Sequence, residues 1–263
     1  LLHNGQPQAR GGFPASRLGT EAGVTGKKLF AVFLRKPGAL ILNRKQALAI
    51  RFCLATNGHR FFFRTKLDGV GEQIVEDLAT VFEHNSIPVA LVESEKCCGM
   101  PKLELGDLEG VARAKEHNIP QLHEWVSAGW DIVAPVPSCV LMFRQELPLM
   151  FPDDPQVQAV AAAFRDPFEY LYLRHKAQKL STDFPVSLGT IAYQVPCHLR
   201  VQNIGLKTRD VLQLIPETTV QVIERCSGHD GTYGVKTRSR AAAVKIARPV
   251  VRQVEQTPAR DHF

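Results

Sequence analysis

The segment Pro88-Val89-Ala90-Leu91-Val92-Glu93-Ser94-Glu95-Lys96-Cys97-Cys98-Gly99 places two adjacent cysteines and a glycine just after a short apolar run. The run Pro88 to Val92 predicts a strand, and Cys97-Cys98-Gly99 predicts a loop at its carboxyl end. Neighbouring thiols form a disulfide with each other only under strain. They can, however, present two sulfur atoms to one soft metal centre. The sequence therefore predicts a metal-binding loop after this strand.

Three further cysteines follow predicted strands in the same way. The predicted strands and the cysteines after them are Asp131 to Val136 with Cys139 in Pro137-Ser138-Cys139, Gly189 to Val195 with Cys197, and Val220 to Glu224 with Cys226. Sites in open α/β sheets form at the carboxyl ends of strands. We therefore expect an α/β fold, with two similar Rossmann-like halves and cysteine loops at the carboxyl ends of strands, along one edge.

The chain divides into three parts by composition and periodicity. Residues 1–70 are rich in Gly, Arg and Lys and lack a sustained period, which predicts a poorly ordered or divergent N-terminal segment. We expect a first cysteine-rich domain at 71–183 and a second at 184–263, with the second domain truncated at its C-terminus.

Three helices in the first half are predicted from the spacing of apolar residues and from proline. Ile74 to Phe82 carries apolar residues at helical spacing. A second helix is predicted from Leu105 to Glu116, and Pro120 is expected to end it. A third is predicted from Val140 to Met150, broken by Pro148, because proline removes a backbone donor and clashes with the preceding turn.

Composition is that of an ordinary globular protein. The chain has 263 residues, 44% of them hydrophobic and 22% charged, with a net charge of +6. Many basic residues lie between Lys27 and Lys45 and between Lys236 and Arg252, which we interpret as solvated surface rather than a nucleic-acid site. No signal peptide or bilayer-spanning stretch is evident. We expect a cytoplasmic protein, in which cysteines stay reduced.

The cysteines suit inorganic ligation better than simple packing. A single cysteine is more often a small buried hydrophobe, but here several sit beside Gly, Pro or Ser in predicted loops. Zinc favours close pairs such as Cys-x-x-Cys, which this chain lacks. The thiolates around an iron–sulfur cluster can come from distant loops. We therefore favour an iron–sulfur cluster, with these candidate metal ligands: Cys97, Cys98, Cys139, Cys197 and Cys226.

Two histidines adjoin the cysteines of the second half. His198 follows Cys197, and His229 lies three residues after Cys226. Either they are structural or exposed, or they are outer groups around the site, replacement ligands or proton carriers.

Three loops, taken in order, resemble one family. They read Cys97-Cys98-Gly99-Met100-Pro101, Val195-Pro196-Cys197-His198-Leu199-Arg200 and Cys226-Ser227-Gly228-His229-Asp230-Gly231. They resemble the CCG, or cysteine-rich, domain of iron–sulfur oxidoreductases such as the B subunit of heterodisulfide reductase and the iron–sulfur subunit of glycolate oxidase. Within that family, the sequences of these loops most resemble those of the C subunits of anaerobic glycerol-3-phosphate dehydrogenases. The resemblance covers Gly71 to Val254.

The resemblance implies a cofactor, a role and a location. It implies an iron–sulfur cluster of the 4Fe-4S type held by Cys97, Cys98 and Cys139, with a second cluster or a remnant at Cys197 and Cys226. It also implies electron transfer from a flavoprotein dehydrogenase subunit to a membrane quinone. Such a chain is an oxidoreductase subunit rather than a self-contained enzyme, and its catalytic residues are unknown. The family also implies peripheral contact with the inner face of the cell membrane and no nucleic-acid partner.

Several positions depart from the family pattern. Phe61 stands where an upstream cysteine is expected, Val136 stands where a second cysteine would precede Cys139, and the pair of the second half is reduced to Cys226-Ser227. Missing ligands leave two alternatives open. The chain is then a truncated, non-catalytic α/β module that binds a partner, or a protein with a structural zinc site.

Overall fold

The computed structural model describes residues 32–35, 39–41, 66–92, 94, 96–229, 234, 236–258 and 261–262. The strands are β1 (Val32–Arg35), β2 (Ala39–Ile41), β3 (Ala90–Leu91), β4 (Trp130–Val133), β5 (Phe164–Arg165), β6 (Thr190–Gln194), β7 (Thr219–Ile223) and β8 (Asp261–His262). The α-helices are α1 (Lys66–His84), α2 (Met100–Glu104), α3 (Leu108–Ser127), α4 (Pro137–Leu141), α5 (Leu147–Met150), α6 (Pro155–Ala163), α7 (Pro167–Lys176), α8 (Cys197–Arg200), α9 (Lys207–Leu212) and α10 (Arg240–Gln256). A π-helical segment, Met142–Glu146, joins α4 to α5, and a 3-10 turn, Thr237–Ser239, precedes α10.

The first sheet is mixed. Its strands run in the order β2-β1-β4-β5, and β3 pairs with β1. β1 is antiparallel to β2, β3 and β4, whereas β4 and β5 are parallel, with Ile132 opposite Phe164. Because β3 and β4 are both antiparallel to β1, they point the same way and end at the same edge of the sheet. Cys97, Cys98 and Cys139 all follow that edge.

The strands β1 and β2 come from the part of the chain for which the sequence predicts little order. The structure describes the backbone of Val32–Arg35 and Ala39–Ile41 as paired strands. The rest of 1–65 lies outside the described residues, as do Cys53 and Phe61. The three-part division of the chain stays a prediction.

The second sheet is parallel throughout its described strands. Its order is β7-β6-β8, and β6 pairs with β7 from Thr190 opposite Thr219 to Gln194 opposite Ile223. Helices packed with short parallel strands confirm the α/β class. The finer prediction of two similar Rossmann-like halves stays a prediction, because antiparallel strands enter the first sheet.

The core of the first half is apolar and includes the cysteines. Its most completely buried large side chains are Phe82, Phe143, Phe164, Ile87, Ile119 and Leu122. The Phe143 and Phe164 rings stack with their centroids 4.9 Å apart. Cys97, Cys98 and Cys139 belong to the same buried cluster, so the core holds the thiols in place.

The predicted end of the second helix at Pro120 is wrong. Helix α3 is continuous from Leu108 to Ser127, with Pro120 inside it. Pro120 is exposed, so its ring distorts no packed interface. Ile119 and Leu122, on either side of the proline, are both buried. This tertiary burial outweighs the cost of a proline inside a helix, which is about 3 kcal/mol.

The predicted break at Pro148 is also wrong. The helical path runs from Pro137 to Met150, and Pro148 lies in the first turn of α5. The π-helical turn before it widens the spacing between backbone groups. A proline fits at this position because the π-helical turn changes the hydrogen-bond ladder just before it. By contrast, the helix predicted from Ile74 to Phe82 is confirmed as part of α1.

In the part of the chain that the structure describes, every helix is too short or too polar to traverse a bilayer.

Candidate metal centre

Three cysteine thiols meet beneath the edge of the first sheet. The side chains of Cys139 and Cys97 lie close enough to the Cys98 thiol to raise its pKa. All three are buried, with 3% to 6% of their surface exposed. We call Cys97, Cys98 and Cys139 the thiol triad. The sequence predicts that these residues converge, and the structure brings them together.

A glycine and an asparagine shape the loop that carries the first two thiols. Gly99 has a φ of +95°, which is strained for residues with a Cβ. The buried Asn118 of α3 clamps the loop from the other side. Its Oδ1 accepts the Lys96 backbone N–H at 2.7 Å, and its Nδ2 donates to the Lys96 carbonyl at 3.1 Å and the Cys97 carbonyl at 3.3 Å.

The third thiol is helical, which corrects the prediction of a cysteine in a loop. Cys139 lies in the first turns of α4, which Pro137 opens. Val136 is extended, and its carbonyl accepts the Cys139 N–H at 2.9 Å. The turn therefore directs Cys139 into the core rather than toward solvent.

Burial keeps the central thiol protonated. The pKa of the Cys98 thiol is raised well above its usual range by its hydrogen bonds with Cys139 and then Cys97, and by desolvation. These interactions favour the neutral thiol over the thiolate. A metal that binds Cys98 must therefore displace its proton, because the thiolate is the ligand form.

The triad has the donor chemistry of a thiolate-bound inorganic centre but not the arrangement of a single-ion site. In the ranges that the structure describes, no three His, Cys, Asp or Glu side chains are arranged to hold one metal ion. An inorganic centre would require the three thiols to lose their protons, and the soft donor set fits iron–sulfur chemistry.

The remaining two predicted ligands lie on the second sheet. Cys197 lies three residues after Gln194, and Cys226 lies three residues after Ile223. Gln194 and Ile223 are opposite each other in the parallel pair β6–β7. Cys197 is exposed and Cys226 is half-buried. Neither is among the groups that hydrogen-bond to Cys98.

Backbone geometry fixes the Cys226 loop. The Gly228 N–H donates to the Cys226 sulfur at 3.3 Å. Gly228 has a φ of +74°, and a Cβ there would overlap the carbonyl oxygen of Ala243 on α10. Only glycine therefore lets this loop lie against the helix. The neighbouring His229 is exposed.

His198 joins the two cysteine regions. Its Nδ1 is hydrogen-bonded to Ser138 Oγ at 2.7 Å, and its Nε2 lies 3.8 Å from Glu104 Oε1. Ser138 and Cys139 are sequence neighbours, as are Cys197 and His198. The contact therefore links α4, which carries Cys139, to α8, where Cys197 lies on a helix rather than in the predicted loop.

Gln202 completes this inter-half contact. Its Nε2 donates to the Pro137 carbonyl at 3.0 Å and to the His198 carbonyl at 2.8 Å. Its Oε1 is buried without a hydrogen-bond partner among the described residues. We call the contacts of Ser138, His198 and Gln202 the inter-half latch. Sequence reasoning missed Asn118 and Gln202, because an isolated amide carries no signal for a partner far along the chain.

Comparison with known proteins gives one family and a set of relatives. The family model for the CCG, cysteine-rich domain matches residues 63–144 and 191–261. The chain is 28% identical over 193 residues to the C subunit of anaerobic glycerol-3-phosphate dehydrogenase from Escherichia coli (strain K12), covering 71% of this chain and 47% of that protein. The chain is 30% identical over 174 residues to lactate utilization protein A of Bacillus cytotoxicus, covering 64% of this chain and 68% of the relative.

A relative from a strain of Bacillus cereus matches with the same identity and coverage. Its lactate utilization protein A is 30% identical over 174 residues, with 64% of this chain and 68% of the relative covered. No solved structure matches. The chain spans about half the length of the dehydrogenase subunits that it matches. The family model covers more than half of the chain, in two stretches that include all five described cysteines. The chain therefore belongs to the CCG, cysteine-rich domain family.

Proposed function

We propose that this chain is an iron–sulfur electron-transfer subunit. It passes electrons from a flavin-dependent dehydrogenase, similar to a glycerol-3-phosphate dehydrogenase, to a membrane quinone. The observation that carries the proposal is the convergence of Cys97, Cys98 and Cys139 in one buried cluster. Membership of the cysteine-rich family supports the same role.

The chain's own residues would bind the cluster and shield it. A thiolate-bound cluster of the 4Fe-4S type supplies one-electron redox chemistry. Cys97, Cys98 and Cys139 would hold it from two segments of the first half. Their burial excludes water, and Asn118 fixes the backbone beside Cys97. Cys197 and Cys226 would hold a second centre or a remnant of one.

The dehydrogenase partner rests on a relative's name. One relative is the C subunit of an anaerobic glycerol-3-phosphate dehydrogenase, and that name describes a multi-subunit enzyme. We extend that association to this chain, together with the flavin, the quinone and a location on the inner face of the membrane. The assignment of 71–183 and 184–263 as two cysteine-rich domains belongs to the same proposal.

Iron uptake tests the proposal directly. The chain is purified without oxygen and reconstituted with ferrous iron and sulfide. Iron and acid-labile sulfide are then counted per chain, and EPR spectra are recorded after reduction. We expect brown protein with an EPR signal, and we expect Cys98→Ser to lose most of its iron. Cys53→Ser is the matched control, because Cys53 is not a predicted ligand, and it should keep its iron.

Two other results would replace the proposal. A colourless, iron-free chain that still binds a flavoprotein would favour the non-catalytic module. Stoichiometric zinc in the purified chain, lost in Cys98→Ser, would favour a structural zinc site. Zinc is the weaker alternative because the sequence has no Cys-x-x-Cys pair.

A further inference from the structure

Helix α10 turns a basic face to solvent. With the residues just before it, the helix places six basic residues between 236 and 254, a stretch without Asp or Glu: Lys236, Arg238, Arg240, Lys245, Arg248 and Arg252. The four within α10 are exposed. None of those four forms an ion pair with another residue in the described part of the chain. Glu255, near the helix end, is the acidic residue of α10.

The same helix leaves apolar side chains uncovered. Ala243 is its only buried residue, although α10 has a strongly amphipathic pattern. Val244 and Val251 are each 51% exposed. Arg248 stands four residues after Val244 and three before Val251, so the three side chains are neighbours on one helix face. We call Val244, Lys245, Arg248, Val251 and Arg252 the α10 face.

We propose that the α10 face docks on an anionic lipid bilayer. Clusters of four to eight Lys and Arg residues on an amphipathic helix attract anionic head groups, at about 1 kcal/mol per residue. Exposed valines beside these charges can enter the head-group boundary, where burial of apolar surface adds to binding. A nucleic acid would use the positive charges but would gain nothing from the valines.

This inference rests on the proposed function in one respect: electron transfer to a quinone would explain why the chain binds a membrane. Lipid binding itself needs neither iron nor a flavoprotein. The two ideas therefore fail separately, because vesicle binding can be measured on metal-free and reconstituted protein alike.

Vesicle co-sedimentation tests the docking surface. The full chain is mixed with phosphatidylcholine vesicles with or without phosphatidylglycerol, at low and raised ionic strength. We expect binding only to the anionic vesicles, weakened by salt. Neutralising three charges with Lys245→Gln, Arg248→Gln and Arg252→Gln should weaken binding about a hundredfold. The control with the same change in net charge is Arg113→Gln, Lys176→Gln and Lys179→Gln, at exposed positions elsewhere, and it should bind like the parent chain.

A second pair of variants isolates the valines. Val251→Ser should weaken binding several-fold, whereas Leu173→Ser, at a residue 49% exposed on α7, should not. Equal losses in the two triple variants would overturn the proposal, because net charge alone would then explain binding. Tighter binding to duplex DNA than to anionic vesicles, with no effect of Val251→Ser, would identify a nucleic-acid surface instead. Lipid binding by a chain that takes up no iron would leave this inference standing while the proposed function falls.

Discussion

Cys98 lies between two other thiols with almost no access to solvent. A thiol in that position keeps its proton because both its neighbours and its burial disfavour a second sulfur charge. The ability of Cys98 to bind a ligand therefore depends on what can replace the proton on its sulfur. A metal cation can do so, whereas a small electrophile in water meets a neutral and shielded sulfur.

Alkylation of the metal-free chain measures this protection. At neutral pH, iodoacetamide should modify Cys98 much more slowly than the exposed Cys197, because Cys98 is buried and its raised pKa lowers the thiolate fraction. Cys139→Ala removes the largest cause of the shift and should speed the reaction. Peptide mass spectrometry reads each site separately. Equal rates at Cys98 and Cys197 in the folded chain would contradict the buried triad.

At the scale of the element, helix α7 begins at a carboxylate that is buried. Asp166 caps the helix by accepting the N–H groups of Phe168 and Glu169 at 2.9 Å and 3.1 Å. Desolvation raises the pKa of Asp166 to about 6, although these hydrogen bonds oppose the shift. The folded state therefore binds this proton more tightly than the unfolded chain, whose Asp pKa is about 3.9.

The sign of this shift predicts how stability responds to pH. The stabilising proton is fully bound below pH 4 and is lost as the pH rises through about 6. Asp166→Asn keeps the cap and avoids the buried charge. Its free energy of unfolding, from urea titrations, should match the parent near pH 4. At pH 7 it should exceed the parent by up to roughly 3 kcal/mol.

A second capping aspartate, whose pKa is lowered rather than raised, provides the control. Asp154 caps α6, and a hydrogen bond from Lys115 is the largest cause of its lowered pKa. Asp154→Asn should therefore lose stability at pH 7, and the loss should shrink as the pH falls. If both variants shift stability in the same direction at pH 7, the burial argument for Asp166 is wrong.

The elements show what the sequence could and could not predict. Apolar spacing located α1, and β-branched runs located β6 and β7, because both signals are local. Pro120 and Pro148 misled because a proline's effect depends on whether its turn is exposed or is the first of a helix. Cys139 lies on a helix rather than in a loop for the same reason, since Pro137 starts a helix there. The strands β1 and β2 were not predicted, because the Gly-rich and basic composition of 1–70 outweighed the apolar residues on either side of Pro37-Gly38.

Some features of the candidate site could be predicted from the sequence, and others could not. Convergence of the triad followed from strand order, because cysteines after strands that point the same way meet at one edge. The amides of Asn118 and Gln202 could not be found, since each acts on a carbonyl more than 20 positions away. Which residues pair over such separations is set by the packed fold rather than by the local pattern.

At the scale of the whole molecule, the inter-half latch is the contact that spans the two cysteine regions. His198 and Gln202 reach from the second half to Ser138 and Pro137 beside the triad. The Gln145 side chain returns a weak hydrogen bond to the Gln202 carbonyl at 3.4 Å. These contacts set the distance between the two cysteine regions.

Removing the latch should loosen the contact between α4 and α8. In the double variant His198→Ala, Gln202→Leu, we expect a lower free energy of unfolding in urea and faster alkylation of Cys139, while Lys207 over the Tyr172 ring and the buried Val211 still join α9 to the first half. Arg200→Ala is the control, because its exposed ion pair with Glu224 stays within the second half. Unchanged stability and unchanged Cys139 alkylation in the double variant would contradict a stabilising role for the latch.

The close approach of Gly228 to Ala243 has a mechanical consequence. Because no side chain fits between them, a shift of α10 toward the Cys226 loop would bring Ala243 against the loop backbone. Docking of the helix on a surface would therefore restrict the positions open to the Cys226 sulfur.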